Sequence, residues 1–509
     1  MPDDNLTPPD PERKKMTLRA NTASQAAPIL IGYVLSFVSA PIVVAQLGLA
    51  AFGIWAITGA LAQYGALLDL GISKAITRYI AMYAEQDDQR AQGEVMSVAV
   101  LALLGVGVAL TLVAVVIAAP VADALGGVPV GQMRWVMLCS VWVLTALLLG
   151  RALAAYAVGL ERMAAPNVAL VLSAIFAFVG SVGSVIVQPT LGTFATANAI
   201  AAVAGLIAMI VTLNVNLGGV PFCRPTRARV SELVSFGAKA QVVFICDLLV
   251  FQSDKIILGV IVSPAVAGAY ELGSRVAIAA RSVATLATSA LIPSITADVT
   301  RHGLDAVRGR YFHLTRRSAA LGFAPLALVA AAAPSFLNAW LGEIPQYTEP
   351  VLIALAVSSI ANVGTGVASA TANAVGRPGI TARSSIATAA INIVLAVVLA
   401  PFLGLWGVLA ATVVATIVGA WIGLDLVHRA LDLSNVKYFE AVSGPSVAAA
   451  AAGLPVALMN WIIPVEGRPA GLAVSVASVG VFVAIYASIG ARRGDLPELR
   501  RNKAAEAVT

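Results

Sequence analysis

Long apolar runs, separated by short polar segments, follow one another along almost the whole chain. A helix needs about 20 consecutive apolar residues to cross a bilayer, and the pattern predicts about fourteen such spans. The predicted spans cover residues 22–46, 52–70, 95–118, 134–157, 166–187, 191–213, 239–262, 265–290, 317–341, 349–373, 379–400, 404–426, 443–463 and 468–489. Runs of this length exclude the alternating strands of a β-barrel, so the expected fold class is an all-α polytopic membrane protein.

The composition supports this class. Of the 509 residues, 59% are hydrophobic and only 11% are charged, with a mean hydropathy of +0.89. Soluble domains carry about 25% charged residues. The three cysteines show no paired spacing, the three histidines show no metal-ligand spacing, and no phosphate-binding loop occurs. We therefore expect no disulfide framework, no metal and no cofactor.

Basic residues are concentrated in alternate connections between the predicted spans. They occur in the N-terminal tail, around residues 74–90, 224–229, 301–317 and 429–437, and in the C-terminal tail. The positive-inside rule places all of these segments, and therefore both termini, in the cytosol. The net charge of +6 then needs no nucleic acid partner.

The sequence repeats itself weakly at an offset of about 215 residues. The segment AAFGIW at Ala50–Trp55 corresponds to AVAGAY at Ala265–Tyr270, and both occupy the same place in the predicted topology. This predicts two six-helix lobes of the same orientation. The predicted divisions are a tail (1–20), an N-terminal lobe (21–218), a linker (219–238), a C-terminal lobe (239–427), two additional spans (428–490) and a tail (491–509).

The first two spans of the C-terminal lobe carry most of the ionisable residues found at membrane depth. Such groups destabilise a span by several kcal/mol unless they are paired or face water, so they mark candidate sites. At about 1.5 Å per residue, the first span places them at successive depths below its cytosolic end. The six residues are Asp247, Asp254, Lys255, Glu271, Arg275 and Arg281.

Two interpretations of these charges remain open. Depth allows Lys255 to face Glu271 or Asp254 to face Arg275, and Glu271 can also pair with Arg275 four residues along its own helix. As structural pairs, the charges would lock two helices together. As a site, the cations would take an anionic group of a substrate, and the carboxylates would pair with them or take up a coupling proton or cation.

Other polar residues at membrane depth give weaker signals. Gln25, Gln63, Tyr64 and Asn362 can line a polar cavity, or they can form hydrogen bonds between helices, which is the commoner use of such residues. The predicted external loops are short, and their carboxylates are far apart in sequence. A catalytic site outside the membrane is therefore not expected, and the chain is predicted not to be an enzyme.

A family pattern lies in residues 21–80. Asn21 opens a helix that contains Pro41, and Leu47-Gly48, Phe52-Gly53-x-Trp55, Leu68-Asp69-Leu70-Gly71 and Arg78 follow. This pattern resembles the N-terminal signature of bacterial polysaccharide transporters, the oligosaccharide flippases of the multidrug/oligosaccharidyl-lipid/polysaccharide (MOP) exporter superfamily.

The resemblance implies two six-helix lobes around a central cavity that opens alternately to each side. It implies translocation of a polyprenyl-pyrophosphate-linked oligosaccharide from the inner to the outer leaflet of the bacterial inner membrane, for cell-envelope polysaccharide synthesis. Arg275, Arg281 and Lys255 would then meet the pyrophosphate, and Asp247, Asp254 and Glu271 would serve coupling or charge pairing. Membrane lipid, and glycosyltransferases or polymerases of the same pathway, are the expected partners.

Two alternative functions stay open at this stage. A cation-coupled multidrug exporter of the same superfamily would favour an acidic cavity with aromatic residues, whereas only 6% of the residues here are aromatic. A membrane glycosyltransferase or polymerase that uses polyprenyl-linked sugars would need an acidic catalytic loop outside the membrane, which the short external loops do not provide.

Overall fold

The chain is an assembly of α-helices. The computed structural model describes residues 11–65, 72–162, 164–226, 242–289, 292–463 and 465–493, and within them it has helices and no β-strand. The all-α polytopic fold class is thereby confirmed. The two predicted tails lie largely outside the described residues, as do most of the predicted linker and the motif Leu68-Asp69-Leu70-Gly71.

The helices divide between two compact units. Unit 1 comprises residues 1–48 and 58–241, and unit 2 comprises residues 49–57 and 242–509. The first helices are α1 (Pro11–Leu47), α2 (Leu49–Tyr64), α3 (Ile72–Glu85), α4 (Gln89–Ala124), α5 (Val130–Gly159), α6 (Ala164–Val187) and α7 (Leu191–Leu217). The later ones are α8 (Val242–Ile261), α9 (Pro264–Ser289), α10 (Ile292–Ala331), α11 (Ala333–Leu341), α12 (Thr348–Gly364), α13 (Gly366–Ala374), α14 (Pro378–Leu403), α15 (Leu405–Leu431), α16 (Asn435–Ile462) and α17 (Arg468–Arg493).

Each predicted span coincides with a helix or with a helix pair. Among the described residues, 10 helical segments are long and apolar enough to cross a membrane, and the pair α10–α11, bent by 68°, can form one more. A further predicted span, 52–70, begins in the apolar α2, of which 16 residues are described. The last two predicted spans correspond to α8 and α9, which carry the ionisable residues that the sequence analysis identified.

From the sequence, the long connections 73–94 and 297–318 are each expected to form one amphipathic helix along the membrane surface, and the structure differs from both expectations. A single helix was expected over residues 73–94, but α3 ends at Glu85, and Asp87 adopts a left-handed conformation with φ 51°. Asp88 then caps α4, because its carboxylate accepts a hydrogen bond from the backbone N–H of Ala91 at 2.9 Å. The second expected surface helix, over residues 297–318, is continuous with the apolar part of α10.

A close helix crossing in unit 2 positions the candidate site. A Cβ on Gly53 of α2 would lie 1.8 Å from the carbonyl oxygen of Pro264, and a Cβ on Gly268 of α9 would lie 2.5 Å from the carbonyl oxygen of Leu49. The contact is reciprocal, since α2 begins at Leu49 and α9 begins at Pro264. Only glycine allows the two backbones to approach this closely.

Candidate functional site

Three of the predicted charges form one cluster in unit 2. Lys255 Nζ lies 2.6 Å from Glu271 Oε2, and Arg275 Nε lies 2.8 Å from Glu271 Oε1. Each carboxylate oxygen thus pairs with a different cation. The side chains of Lys255 and Glu271 are 11% and 13% exposed, whereas that of Arg275 is 29% exposed. Two cations therefore share one carboxylate, and the more accessible of the two is Arg275.

The guanidinium of Arg275 has a second neighbour. It lies over the ring of Phe52 in α2, at 5.3 Å from the ring centroid. A cation at this distance from an aromatic face is attracted by the ring quadrupole. The crossing of α2 and α9 at Gly53 and Gly268 brings these two side chains together, so Arg275 lies between an aromatic ring and a carboxylate.

Asp254 is the second buried carboxylate of unit 2, and it is fully buried. Its Oδ2 accepts hydrogen bonds from Tyr270 Oη at 2.7 Å and from Thr412 Oγ1 at 2.8 Å. Asn392 Nδ2 in turn donates to Thr412 Oγ1 at 3.1 Å. Within the part of the chain that the structure describes, Asp254 Oδ1 and Asn392 Oδ1 have no hydrogen-bond partner. A buried oxygen of this kind marks a place where a proton, an ion or water can bind.

A polar cavity of about 250 Å³ lies inside unit 2 and reaches Thr412. Ten of its 19 lining residues are serine or threonine, and Arg281 is the one charged side chain among the described residues that line it. The lining residues are Cys246, Val250, Ala277, Ile278, Arg281, Leu355, Ser358, Ser359, Asn362, Thr365, Gly366, Ser369, Thr381, Ser384, Ser385, Thr388, Thr412, Thr416 and Ala420.

The other predicted site residues are distributed along the chain. Asn362 lines the same cavity as Arg281. Gln63 and Tyr64 lie at the end of α2, in the part of that helix that belongs to unit 1, and Gln63 is exposed. The side chains of Gln25 in α1 and Asp247 in α8 lie outside the described residues.

Sequence reasoning did not identify Phe52, Tyr270 or Thr412 as site residues. Both Phe52 and Tyr270 belong to the repeated segments, and Phe52 also belongs to the family pattern, but neither pattern assigns a role in a site to an aromatic residue. Thr412 gave no signal at all, because it lies in an apolar helix rich in alanine, leucine and valine. These residues take part in the site only through contacts between helices distant in sequence.

The fold is shared with transporters of known structure. An inward-closed structure of the lipid II flippase MurJ matches with a TM-score of 0.67 and 10% identity, covering 93% of this chain and 99% of that chain. An inward-facing multidrug resistance MATE family transporter of the MOP superfamily matches with a TM-score of 0.64 and 16% identity, covering 81% of this chain and 98% of that chain. The MATE multidrug transporter DinF-BH matches with a TM-score of 0.59 and 16% identity, covering 84% of this chain and 98% of that chain.

The predicted resemblance to the MOP superfamily is confirmed by these structures and by the sequence family. No curated protein shows significant sequence similarity to this chain. A family model described as polysaccharide biosynthesis protein matches residues 18–297, which is more than half of the 509 residues. The chain is therefore a multi-pass membrane protein that belongs to the polysaccharide biosynthesis protein family.

Proposed function

We propose that this protein moves a polyprenyl-pyrophosphate-linked oligosaccharide from the inner to the outer leaflet of the bacterial inner membrane by alternating access. A pyrophosphate and a sugar chain cannot cross hydrocarbon unaided, because their polar groups would lose water without replacement. The observation that carries the proposal is the charge cluster of Lys255, Glu271 and Arg275, in which two cations share one carboxylate and the arginine is partly exposed. Membership of the polysaccharide biosynthesis family supports the same substrate class.

Arg275 is the residue that we assign to the pyrophosphate. A planar guanidinium can hold two phosphate oxygens at once, whereas a lysine offers a point charge. In the absence of substrate, Glu271 and the ring of Phe52 hold this guanidinium in place. Lys255 neutralises Glu271, so that Arg275 can exchange its carboxylate for the substrate without leaving Glu271 unpaired. Arg281, in the polar cavity, is the third cation assigned to the substrate.

Coupling to an ion gradient is assigned to Asp254. A fully buried carboxylate with one oxygen unpartnered among the described residues can bind a proton or a cation during the cycle. Asp247 keeps its predicted role as a second candidate. In this proposal both termini face the cytosol, and glycosyltransferases or polymerases of the same pathway supply and use the lipid-linked glycan.

A multidrug exporter is the second candidate function, because MATE transporters share the fold with a TM-score close to that of the flippase MurJ. The two candidates differ in what the cations must do. A partly exposed arginine suits an anionic substrate group and would repel a cationic drug, since like charges repel. Loss of drug resistance without loss of glycan export in an Arg275 variant would favour the exporter.

The test is glycan export in cells at matched membrane abundance. We expect Arg275→Lys to impair export and Arg275→Ala to abolish it, because lysine cannot reproduce the two-point contact. Arg429→Ala is the matched control. Arg429 also pairs with a carboxylate four residues away, Nε to Asp425 Oδ2 at 2.9 Å, but its side chain is 78% exposed. If Arg275→Ala exports glycan as well as Arg429→Ala, the substrate role of Arg275 is wrong.

A further inference from the structure

The polar cavity of unit 2 has a wall made of hydroxyl oxygens that can accept hydrogen bonds. Ser384 donates its hydrogen to Gly419 O at 2.8 Å, Thr388 donates to Ser384 O at 3.0 Å, and Thr416 donates to Thr412 O at 2.7 Å. Because these hydrogens are already used, the lone pairs of the hydroxyl oxygens remain available to a donor in the cavity. Water is the simplest donor of this kind.

The cavity is large and polar enough to hold several water molecules. A single water needs about 10–15 Å³ of accessible volume and two to four polar partners. The 250 Å³ of this cavity far exceeds that volume, and hydroxyls line it from Thr381, near the start of α14, to Thr412. The Oγ1 of Thr381 has no hydrogen-bond partner among the described residues, as expected for a group that binds water.

Thr412 connects this cavity to Asp254. Its side chain lines the cavity, and the same hydroxyl lies 2.8 Å from Asp254 Oδ2. The loop before α14 contains Arg377 and follows the tenth predicted span, so it lies on the same side of the predicted topology as the two termini, which the sequence places in the cytosol. A row of polar groups therefore leads from the predicted cytosolic end of unit 2 to a carboxylate that is otherwise fully buried.

We propose that this cavity is a hydrated path by which protons travel between the cytosol and Asp254, with Thr412 as the last relay. The inference rests on the coupling role proposed above for Asp254. On the inward step, a hydronium ion in the cavity gives up one proton and becomes water. Thr412 Oγ1 accepts that proton and passes its own hydroxyl proton to Asp254 Oδ2, and the carboxylate becomes a neutral carboxyl group. The release step is the reverse.

The path suits a proton because its polar groups form hydrogen bonds. Among the described residues, the titratable and charged groups that face Asp254 are Tyr270 and Lys255, and Lys255 is paired with Glu271. Arg281 is the one charged group in the described wall of the cavity. A proton passes along hydrogen bonds and replaces the negative charge of Asp254 by a neutral group.

The first experiment tests whether the cavity contains water that is open to the cytosol. Cys246 lines the cavity and is 5% exposed, and Cys139 is 6% exposed but lies in an apolar groove of unit 1. In inside-out vesicles, a protein with Cys246 as its single cysteine should react with a small anionic methanethiosulfonate, and one with only Cys139 should not. Equal protection of both cysteines would overturn the hydrated path, whatever the protein transports.

The second experiment tests the relay in the same vesicles. We expect Thr412→Val to slow proton-driven glycan-lipid transport roughly tenfold or more, since a positioned proton-transfer group contributes about 10²–10⁴ in rate. Cys246 labelling should be unchanged. Thr212→Val is the matched control, because Thr212 also donates to its own helix, at 2.7 Å, but lies in α7 of unit 1.

The outcomes separate the path from the coupling role. If Asp254→Asn abolishes coupled transport while Thr412→Val behaves like Thr212→Val, the relay is wrong and the coupling role stands. If Asp254→Asn leaves coupling intact, the coupling role of Asp254 is wrong. The cavity is then not a path for coupling protons, even if Cys246 is labelled. Transport that follows a sodium gradient at constant pH would overturn the choice of a proton.

Discussion

Glu271 is the residue whose loss should affect the charge cluster most. Both of its carboxylate oxygens pair with a cation, Lys255 at 2.6 Å and Arg275 at 2.8 Å. The substitution Glu271→Gln keeps the shape of the side chain but removes its negative charge. The amide oxygen can still accept from one cation, whereas the amide N–H groups then face the other. Both cations therefore lose the negative charge that they share, and one of them also loses its hydrogen-bond acceptor.

The expected effect follows from the burial of the cluster. Breaking a buried ion pair by removing one partner destabilises a protein by about 3–5 kcal/mol. Lys255, with a side chain 11% exposed, cannot reach solvent as easily as Arg275, which is 29% exposed. For a folding unit of this size, the loss corresponds to a fall in Tm of roughly 5–15 °C. Substrate transport should fall with it, because Arg275 loses the group that positions it.

The measurement is thermal unfolding of the purified protein in detergent, followed by the loss of helical circular dichroism. Lys255→Met should change the Tm little, because it leaves the pair between Glu271 and Arg275 intact and replaces a buried cation by an apolar side chain. Adding Lys255→Met to Glu271→Gln should restore most of the lost stability, since the remaining cation is the more exposed Arg275.

An exposed ion pair provides the control for this prediction. Asp425→Asn removes the partner of Arg429, whose side chain is 78% exposed, and it should change the unfolding free energy by less than about 1 kcal/mol. If Glu271→Gln unfolds at the same temperature as Asp425→Asn, the cluster is not a buried ion network and the reasoning fails. A double variant that remains as unstable as Glu271→Gln alone would refute the assignment of Lys255 as the sensitive partner.

The cluster also changes how a rescue experiment must be designed. From the sequence, removing Glu271 and Arg275 together should restore activity if the two residues merely pair with each other. In the structure, that double change would leave Lys255 buried without its carboxylate. Rescue can therefore be expected only when Lys255→Met is added. Failure of the simple double variant would say nothing about the role of Arg275.

Two further predictions concern packing and topology. Gly53→Ala should destabilise the protein by about 1–3 kcal/mol or more, because the added Cβ would meet a backbone carbonyl of α9. Gly59→Ala is the control, since a Cβ there has no other atom within 4 Å. It should be neutral or stabilising in the same thermal assay. On a background without native cysteines, a cysteine at Ser263 should react with an impermeant thiol reagent in whole cells, and one at the exposed turn residue Gln86 should react only after the membrane is opened. Labelling of both in intact cells would contradict the fourteen-span topology.

The sequence by itself determined the class of protein and the position of its helices. A membrane allows a backbone to cross only when its hydrogen bonds are satisfied internally, so apolar runs of the right length predict helices directly. The cost of burying charge identified α8 and α9 as the helices that hold the site. The surface segments were predicted less well, because the N-cap formed by Asp88 and the continuity of α10 depend on local backbone geometry rather than on hydropathy.

Only the tertiary structure decided which charges meet and which neutral residues join them. Spacing along the two helices allowed Asp254 to face Arg275 as well as it allowed Lys255 to face Glu271, since both arrangements place opposite charges at similar depths. In the structure Lys255 contacts Glu271, whereas Asp254 forms hydrogen bonds with Tyr270 and Thr412. The rotation of each helix about its axis sets these partners, and it depends on close packing such as that of Gly53 against α9. A one-dimensional pattern gives the depth of a residue in the membrane but not the neighbour toward which it turns.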